Sequence, residues 1–237
     1  MSGGKNNPDT CILCGAPIKV VHPAQTMHCA ICGRKYTDVV LCKEGHYICE
    51  HCRKDPGKEM IRSICVRSTS KNPIEIATEI MSSPVIAFRQ QEHHSIVAAS
   101  LLTAYKNNGG NVDDFKASLM EIIKRGTHIP YKIQLETGTS GGAMSAGIFH
   151  SVLTGMNIHN KEGWAEGAMI VAECMTKISE IEGPCCCKRC TFTAISVTAQ
   201  NSEKYYNVPM DIPEKIRCKY TKRNRDCVKA NCPYFPA

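Results

Sequence analysis

Apolar residues recur at helical spacing through most of the chain beyond the first 70 residues. Residues 92–107 (EHHSIVAASLLTAYKN) place apolar side chains on successive turns, and the pattern stops at two glycines, 109–110. A shorter helix is predicted to begin at residues 72–73 (NP), because proline suits the first turn of a helix, and to close at residues 82–84 (SSP). The pattern therefore predicts a mainly helical domain.

Four further helices follow from the same periodicity. They are predicted at 112–125 with Asn111 as the cap, at 141–154 ending at Gly155, at 161–181 starting from Asn160, and from Lys188 to about Lys204. The helix at 141–154 is rich in small residues, and the helix at 161–181 ends before a Gly-Pro pair. Strand signals are short and weak outside the N-terminal segment.

The N-terminal segment differs from this helical part. Residues 11–55 contain too few apolar side chains to bury a core unaided, so a bound metal is expected to supply the folding energy. Residues 1–10 are polar and are predicted to be disordered. The predicted architecture is mostly α: a small zinc-ribbon or treble-clef-like module at 11–65, then a helical domain at 66–237 with a cysteine-rich C-terminal tail.

Cysteine content narrows the class of protein. The chain has 237 residues and 16 cysteines, which would suit a disulfide scaffold in a small secreted chain. The polar N-terminus lacks the apolar core of a secretion signal, and no apolar run reaches the roughly 18 residues of a membrane span. We therefore expect a cytoplasmic protein with no membrane association, in which thiols bind metal rather than form disulfides.

The N-terminal cysteines have the spacing of zinc ligands. Two CxxCG motifs are followed by the segment CKEGHYICEHC, and each glycine after a second cysteine permits the tight zinc-knuckle turn. Eight ligands for two tetrahedral Zn²⁺ ions result: Cys11, Cys14, Cys29, Cys32, Cys42, His46, Cys49 and Cys52. Because four protein ligands fill each site, the zinc ions are predicted to be structural.

Two questions about this module stay open in the sequence. The ligands can pair sequentially (11/14/29/32 and 42/46/49/52) or in a cross-braced manner (11/14/42/46 and 29/32/49/52). His51 is an alternative to His46, although His46 has the better spacing. GHYIC resembles the ligand hairpin of RING and treble-clef domains, but no further CxxC follows it, so ubiquitin-ligase activity is not assigned.

A second set of cysteines lies near the C-terminus. The box GPCCCKRC at 183–190 stands before a helix, where amide groups and the helix dipole favour thiolates, and a cysteine followed by proline resembles ferredoxin-type ligation. The predicted site consists of Cys186, Cys187, Cys218, Cys227 and Cys232. An iron–sulfur cluster of the 4Fe–4S type is the favoured occupant, with zinc or unliganded thiols as alternatives.

Four other residues are candidates for chemistry. Ser140 precedes two glycines at a helix start, where amides bind anions, and Arg189 adds positive charge beside the cysteine box. His93 and His94 stand at another helix start and are candidate proton carriers. Cys65 and Cys174 lack ligand spacing and are expected to be buried thiols.

These motifs together resemble an uncharacterised domain-of-unknown-function family of anaerobes, methanogens among them. The resemblance spans nearly the whole chain: the CxxCG pairs, GHYIC, the His93-His94 pair, the small-residue helix, the GPxCCKR box and the tail cysteines. In the family pattern Cys186 and Cys187 are the usual pair, while Cys185 and Cys190 stand outside it. The family has no established activity, so the resemblance implies a fold and a metal site but no reaction.

A partial resemblance links residues 136–200 to the oxygen-sensitive iron–sulfur L-serine dehydratases. Both have a glycine-rich helix start and a Pro-Cys box before a helix, and the dehydratases hold their cluster with three cysteines, leaving one iron free for the substrate hydroxyl. This chain has Ser140 where such proteins have cysteine. The resemblance therefore implies that any cluster here takes its ligands from Cys186, Cys187 and the tail.

Two functions are consistent with these observations. The first is an oxygen-sensitive iron–sulfur enzyme with two structural zincs that performs lyase or sulfur-transfer chemistry on a small anionic substrate, with a surplus cysteine facing the substrate. The second is a zinc-ribbon module that binds nucleic acid or protein, with every metal structural. The formal charge of +7 suggests nucleic acid, but seven zinc-bound thiolates against two Zn²⁺ ions lower it to +4, and a cluster lowers it further. Homo-oligomerisation stays open.

Overall fold

Ten α-helices and one two-stranded sheet form the regular structure of residues 9–159 and 161–236, the part of the chain that this computed structural model describes. The elements are β1 Ile18–His28, β2 Lys35–Cys42, α1 Glu50–Lys54, α2 Pro56–Arg67, α3 Pro73–Ser82, α4 His93–Asn107, α5 Phe115–His128, α6 Ile133–Thr137, α7 Gly141–Thr154, α8 Trp164–Ser179, α9 Cys187–Gln200 and α10 Ser202–Tyr206. The predicted fold class is confirmed: mostly α, with a small N-terminal module and a cysteine-rich tail.

Helix α4 lies at the centre of the helical part. All its residues from Ser95 to Tyr105 are buried, so apolar and small side chains cover its whole circumference. A helix that is apolar all round must be surrounded by other elements. Helices α2, α3, α5, α7 and α9 pack around α4, and α8 packs on the outer side of α7 and α9. The N-termini of α4, α7 and α9 are thereby held in one bundle.

Several predicted helix boundaries are confirmed. Asn72 caps α3 by accepting hydrogen bonds from the amides of Ile74 and Glu75, and α7 ends at Gly155, which has a φ of 65°. The Asn111 cap was wrong: α5 begins three residues later, because the Asp114 carboxylate accepts a hydrogen bond from the Ala117 amide. The predicted start at Asn160 lies outside the described residues.

Other elements differ from the prediction or were not predicted. The helix expected to reach Lys204 is divided at Asn201 into α9 and α10. Helix α2 was not predicted; it runs across residue 65, where the sequence analysis placed the boundary between the two parts of the chain. Cys65 and Cys174 are fully buried, as expected. Among the described residues, no helix is both long and apolar enough to cross a membrane.

The C-terminal tail after Tyr206 packs on the bundle with little regular structure. Between residues 207 and 236, the regular structure after Tyr206 consists of two 3-10 turns, Thr221–Arg223 and Lys229–Asn231. Tyr220 anchors the tail because its buried hydroxyl donates to the Thr78 carbonyl at 2.8 Å. Within the tail, the Cys218 amide donates to the Tyr234 carbonyl at 2.7 Å.

The crossing of α4 and α5 depends on a glycine. A Cβ added at Gly126 would lie 2.1 Å from Ser95 Oγ and 2.9 Å from the backbone Cα of Ser95. We expect Gly126→Ala to destabilise the domain by about 2 kcal/mol, because the clash with backbone exceeds the gain in helix propensity. Thermal unfolding should show the midpoint falling by about 4–8 °C. Lys116→Ala, on the exposed side of the same helix, should leave it unchanged.

Candidate functional site

The first group of candidate metal ligands comprises Cys11, Cys14, Cys42 and His46. Their ligand atoms all lie within 4.8 Å of one another. His46 Nδ1 is 3.3 Å from the sulfur of Cys14 and 3.6 Å from that of Cys42, and these two sulfurs are 3.8 Å apart. A tetrahedral zinc ion with Zn–S bonds of about 2.3 Å requires sulfur–sulfur edges of about 3.8 Å. The group therefore has the dimensions to hold a zinc-sized ion.

The second group comprises Cys29, Cys32, Cys49 and Cys52, again within 4.8 Å of one another. The sulfurs of Cys32 and Cys49 are 3.9 Å apart, and the Cys49 amide donates to the Cys29 sulfur at 3.4 Å. Each CxxCG turn is closed by the amide of its glycine, at 2.8 Å, with the glycine in the left-handed region (φ 75° at position 15 and 72° at position 33). Each group offers four donors that could hold one ion.

The pairing of the ligands is cross-braced. Strands β1 and β2 are antiparallel, and Ile18 pairs with Cys42. This register places Cys42 and His46 beside the first CxxCG turn, which contains Cys11 and Cys14. Tyr47 forms a β-bridge with Cys29, which places Cys49 and Cys52 beside the second CxxCG turn. His51 belongs to neither group: it is exposed, and its Nε2 lies 3.1 Å from a carboxylate oxygen of Glu59. His46 is thus the histidine within ligand distance.

The GPCCCKRC box divides its thiols between two cavities. Successive side chains around the start of α9 point in different directions, because Cys186 is the N-cap in extended conformation and Cys187 begins the helix. Cys186 lines a cavity with Cys218, Cys227 and Cys232, which we call the tail-cysteine cavity. Cys187 lines a different one with Cys185 and Cys190, which we call the histidine–thiol cavity. Cys187 is therefore separated from the other four residues of the predicted set.

The tail-cysteine cavity is small and has two buried cations in its wall. The Asn224 amide donates to the Cys186 sulfur at 3.4 Å, and burial raises the pKa of the Cys186 and Cys218 thiols. Burial also lowers the pKa of Lys188 to about 8; its ammonium lies about 5 Å from the centroids of the Phe88 and Tyr220 rings. Four sulfurs and nearby positive charge suit a thiolate-bound metal.

Arg189 belongs to the tail-cysteine cavity and not to the histidine–thiol cavity. Its guanidinium donates to the Pro184 carbonyl at 2.9 Å, while its Nε is buried without a hydrogen-bond partner. The predicted pairing of Arg189 with Ser140 around one substrate is therefore not supported by their positions. Arg189 instead adds positive charge beside Cys186.

The histidine–thiol cavity has a volume of about 410 Å³ and lies at three helix N-termini. Its wall includes the start of α4 (His93, His94), the start of α7 (Ser140, Gly141, Gly142) and the start of α9 (Cys187, Cys190). Each of these helices has at least 14 residues. Helix N-termini carry partial positive charge and free amides, and the described wall contains no carboxylate. These features of the cavity wall favour the binding of an anion.

The three thiols in this cavity interact with one another. The neighbouring Cys187 and Cys190 thiols raise the pKa of Cys185, which favours its protonated form. Interaction with Cys185 lowers the pKa of Cys187, and interaction with Cys185 and Ser140 lowers the pKa of Cys190 to about 7 against the effect of burial. The arrangement therefore favours a thiolate at Cys187 or Cys190 next to the protonated thiol of Cys185.

Both candidate histidines line the cavity in neutral form. Nδ1 of His93 lies 3.2 Å from the Gln90 carbonyl and Nδ1 of His94 lies 3.3 Å from the Ile129 carbonyl. Because a carbonyl can only accept, each ring carries its proton on Nδ1 and offers the lone pair of Nε2. Burial lowers the pKa of both rings, that of His93 to about 3. His93 Nε2 is buried and has no hydrogen-bond partner.

Ser140 and the glycines after it shape the opposite wall. Ser140 is 2% exposed and caps α7 by accepting from the Gly142 amide at 3.2 Å. A Cβ at Gly141 would lie 2.3 Å from the His94 ring, and one at Gly142 would lie 3.1 Å from the Cys190 carbonyl oxygen. The two glycines therefore allow α7 to approach His94 and α9 closely.

Sequence reasoning found some of this cavity and missed the rest. His93, His94, Ser140 and Cys187 were predicted, although from separate signals and without a shared location. Cys185 and Cys190 were set aside as extras. The sequence does contain a signal for Cys190. Cys187 and Cys190 are three residues apart at the start of α9, so both lie on one face of that helix.

The family model of a family of unknown function, DUF5714, matches residues 61–235. The chain belongs to this family. The match confirms the resemblance to a family without an assigned function, and the DUF5714 segment includes α3 to α10 and both cavities. The two N-terminal ligand groups precede it. Comparison with curated proteins gives no match, and comparison with solved structures gives none either.

Proposed function

We propose that this DUF5714 protein is an iron–sulfur enzyme that transfers sulfur from a small anionic substrate, and that two N-terminal zinc ions are structural. One observation carries the proposal: three thiols, two neutral histidines and three helix N-termini surround one cavity without carboxylates. Helix N-termini attract an anion, and thiolates are its nucleophiles. Each N-terminal zinc would have four protein ligands and no open position for chemistry.

The tail-cysteine cavity is the proposed cluster site, held by Cys186, Cys218, Cys227 and Cys232. Four thiolates are the usual ligand set of an iron–sulfur cluster. Among the described residues, only the two N-terminal groups gather three or more ligand atoms within 4.8 Å, so the tail sulfurs stand farther apart than a single zinc ion requires. A cluster bridges a wider set of sulfurs than a single ion does.

Of the two reaction classes considered, sulfur transfer fits this arrangement better than elimination. A cluster with four cysteine ligands exchanges electrons but has no open iron to act as a Lewis acid. The adjacent cavity instead presents its own nucleophiles, Cys187 and Cys190. His93 and His94 present their Nε2 lone pairs to the cavity, where they accept hydrogen bonds from a protonated thiol or substrate group, and Ser140 with the α7 amides binds the anionic end of the substrate.

Metal content tests the proposal. Protein purified without oxygen should contain two zinc ions per chain, together with iron and acid-labile sulfide, and Cys218→Ser should lose the iron while keeping both zincs. Cys65→Ser is the matched control, because this buried thiol lies outside both cavities and both ligand groups.

Zinc alone, with no iron or labile sulfide, would contradict the cluster. It would favour the alternative function, a module that binds nucleic acid or protein with every metal structural. The exposed basic side chains of the tail would then be its contact surface: Lys219, Lys222, Arg223 and Arg225.

A further inference from the structure

Cys185 and Cys190 have no role in the proposed cluster, yet both line the histidine–thiol cavity. Cys190 lies on the first turns of α9 and is 5% exposed. Cys185 lies just before Cys186, the N-cap of that helix, and lines the same cavity as Cys187 and Cys190. A thiolate can accept a sulfur atom from a donor and become a persulfide, and a neighbouring thiol can then release that sulfur.

The cavity around this pair also indicates which sulfur donor it accepts. Lys132 contributes a cation to the wall, and Arg89 contributes another that is ion-paired with Asp226. His93 is 2% exposed, and its Nε2 has no hydrogen-bond partner among the described residues. A volume of about 410 Å³ admits a small dianion with several waters, each of which occupies about 30 Å³.

We propose that Cys190 takes the outer sulfur of a thiosulfonate anion, such as thiosulfate, and that Cys185 releases it as hydrosulfide. This inference rests on the proposed sulfur-transfer function and names its substrate class and the order of its thiols. A thiosulfonate joins a transferable outer sulfur to an oxyanion that leaves with the bonding electrons. The helix N-termini of α4 and α7 lie where that oxyanion can be held.

The first step forms one S–S bond and breaks another. The Cys190 thiolate attacks the outer sulfur, a bond forms between Sγ and that sulfur, and the bond to the sulfonyl sulfur breaks. The electron pair leaves with the sulfinate product, which is sulfite when thiosulfate is the donor. With an organic thiosulfonate, two negative charges enter and two remain, one on the Cys190 persulfide and one on the sulfinate. With thiosulfate, three enter and three remain, one on the persulfide and two on sulfite.

The second step releases the sulfur. The Cys185 sulfur attacks Sγ of Cys190, the persulfide bond breaks, and the outer sulfur leaves as hydrosulfide with the proton that Cys185 carried. Cys185 and Cys190 are then joined by a disulfide. Two molecules of a low-molecular-weight thiol reduce this disulfide and become a disulfide themselves, which restores both cysteines.

Thiosulfate labelled in its outer sulfur tests this sequence on the full chain, purified without oxygen. The wild-type protein should release labelled hydrosulfide, once per chain without added thiol and repeatedly with it. Cys185→Ser should stop after the first step, with one labelled sulfur on the peptide that contains Cys190. Cys190→Ser should acquire no label at that peptide, and Cys174→Ser, whose buried thiol lies outside both cavities, should behave as the wild type.

Two results would overturn the inference: no labelled hydrosulfide from the wild-type protein, or no labelled sulfur on the Cys190 peptide of Cys185→Ser. Iron and zinc measured in the same preparation keep the two proposals distinguishable. Iron-loaded wild-type protein that releases no labelled hydrosulfide refutes the thiosulfonate step and leaves the cluster standing. Iron-free protein that labels Cys190 supports the step and refutes the cluster. Melting curves recorded for each variant show whether it is folded.

Discussion

Replacing Cys42 by serine is expected to release both N-terminal zinc ions rather than one. The two ligand groups are interleaved, so His46 of one group is followed three residues later by Cys49 of the other. Structural zinc sites contribute on the order of 10–16 kcal/mol of apparent binding energy in small domains. The ligands of the two groups alternate along one short segment. Loss of one ion therefore disorders the turns that position the ligands of the other ion.

Zinc content and limited proteolysis measure this effect. Cys42→Ser should hold well under two zincs per chain and should be cleaved between residues 11 and 55, while the helical part from residue 61 onward keeps its helical circular dichroism. Cys65→Ser serves as the matched control, with two zincs and an intact module. If Cys42→Ser retained one tightly bound zinc and a protected second knuckle, the two sites would be independent and the interleaved arrangement would not couple them.

Loss of the proposed tail cluster is expected to free the C-terminal tail while leaving the bundle folded. Some thirty residues after Tyr206 form only two 3-10 turns in the described chain, and long segments without regular structure need a cross-link or close packing to stay ordered. The contacts that would remain join the tail to the bundle at separate points: Tyr220 against Thr78, Tyr234 with its hydroxyl 2.9 Å from Thr193 Oγ1, and Asp226 ion-paired with Arg89.

Hydrogen exchange detects this change directly. In Cys227→Ser the Cys218 amide, which donates to the Tyr234 carbonyl, should lose its protection, and amides of α4 should keep theirs. Cys174→Ser should preserve protection at both places. Unchanged exchange at Cys218 in Cys227→Ser would mean that packing alone holds the tail and that no metal contributes to its order.

Local signals in the sequence were sufficient for several elements. Asn72-Pro73 and Gly155 mark helix ends because cap and turn residues act through their immediate neighbours. The Asn111 prediction was wrong for a related reason: Asp114 competes for the same role, and which side chain caps depends on where the chain leaves α4. The ring nitrogens of His150, a buried histidine on the apolar helix α7, lie 2.9 Å from Tyr206 Oη and from the Gly163 carbonyl oxygen.

The sequence by itself determined the helical class of the chain, the CxxCG turns and the residues with ligand chemistry. Those properties depend on spacing over a few residues. Only the tertiary structure decided the cross-braced pairing, because it follows from the register of β1 against β2. It also decided that Cys186 faces the tail while Cys185, Cys187 and Cys190 face His93 and Ser140, since this depends on how three distant helices pack around α4.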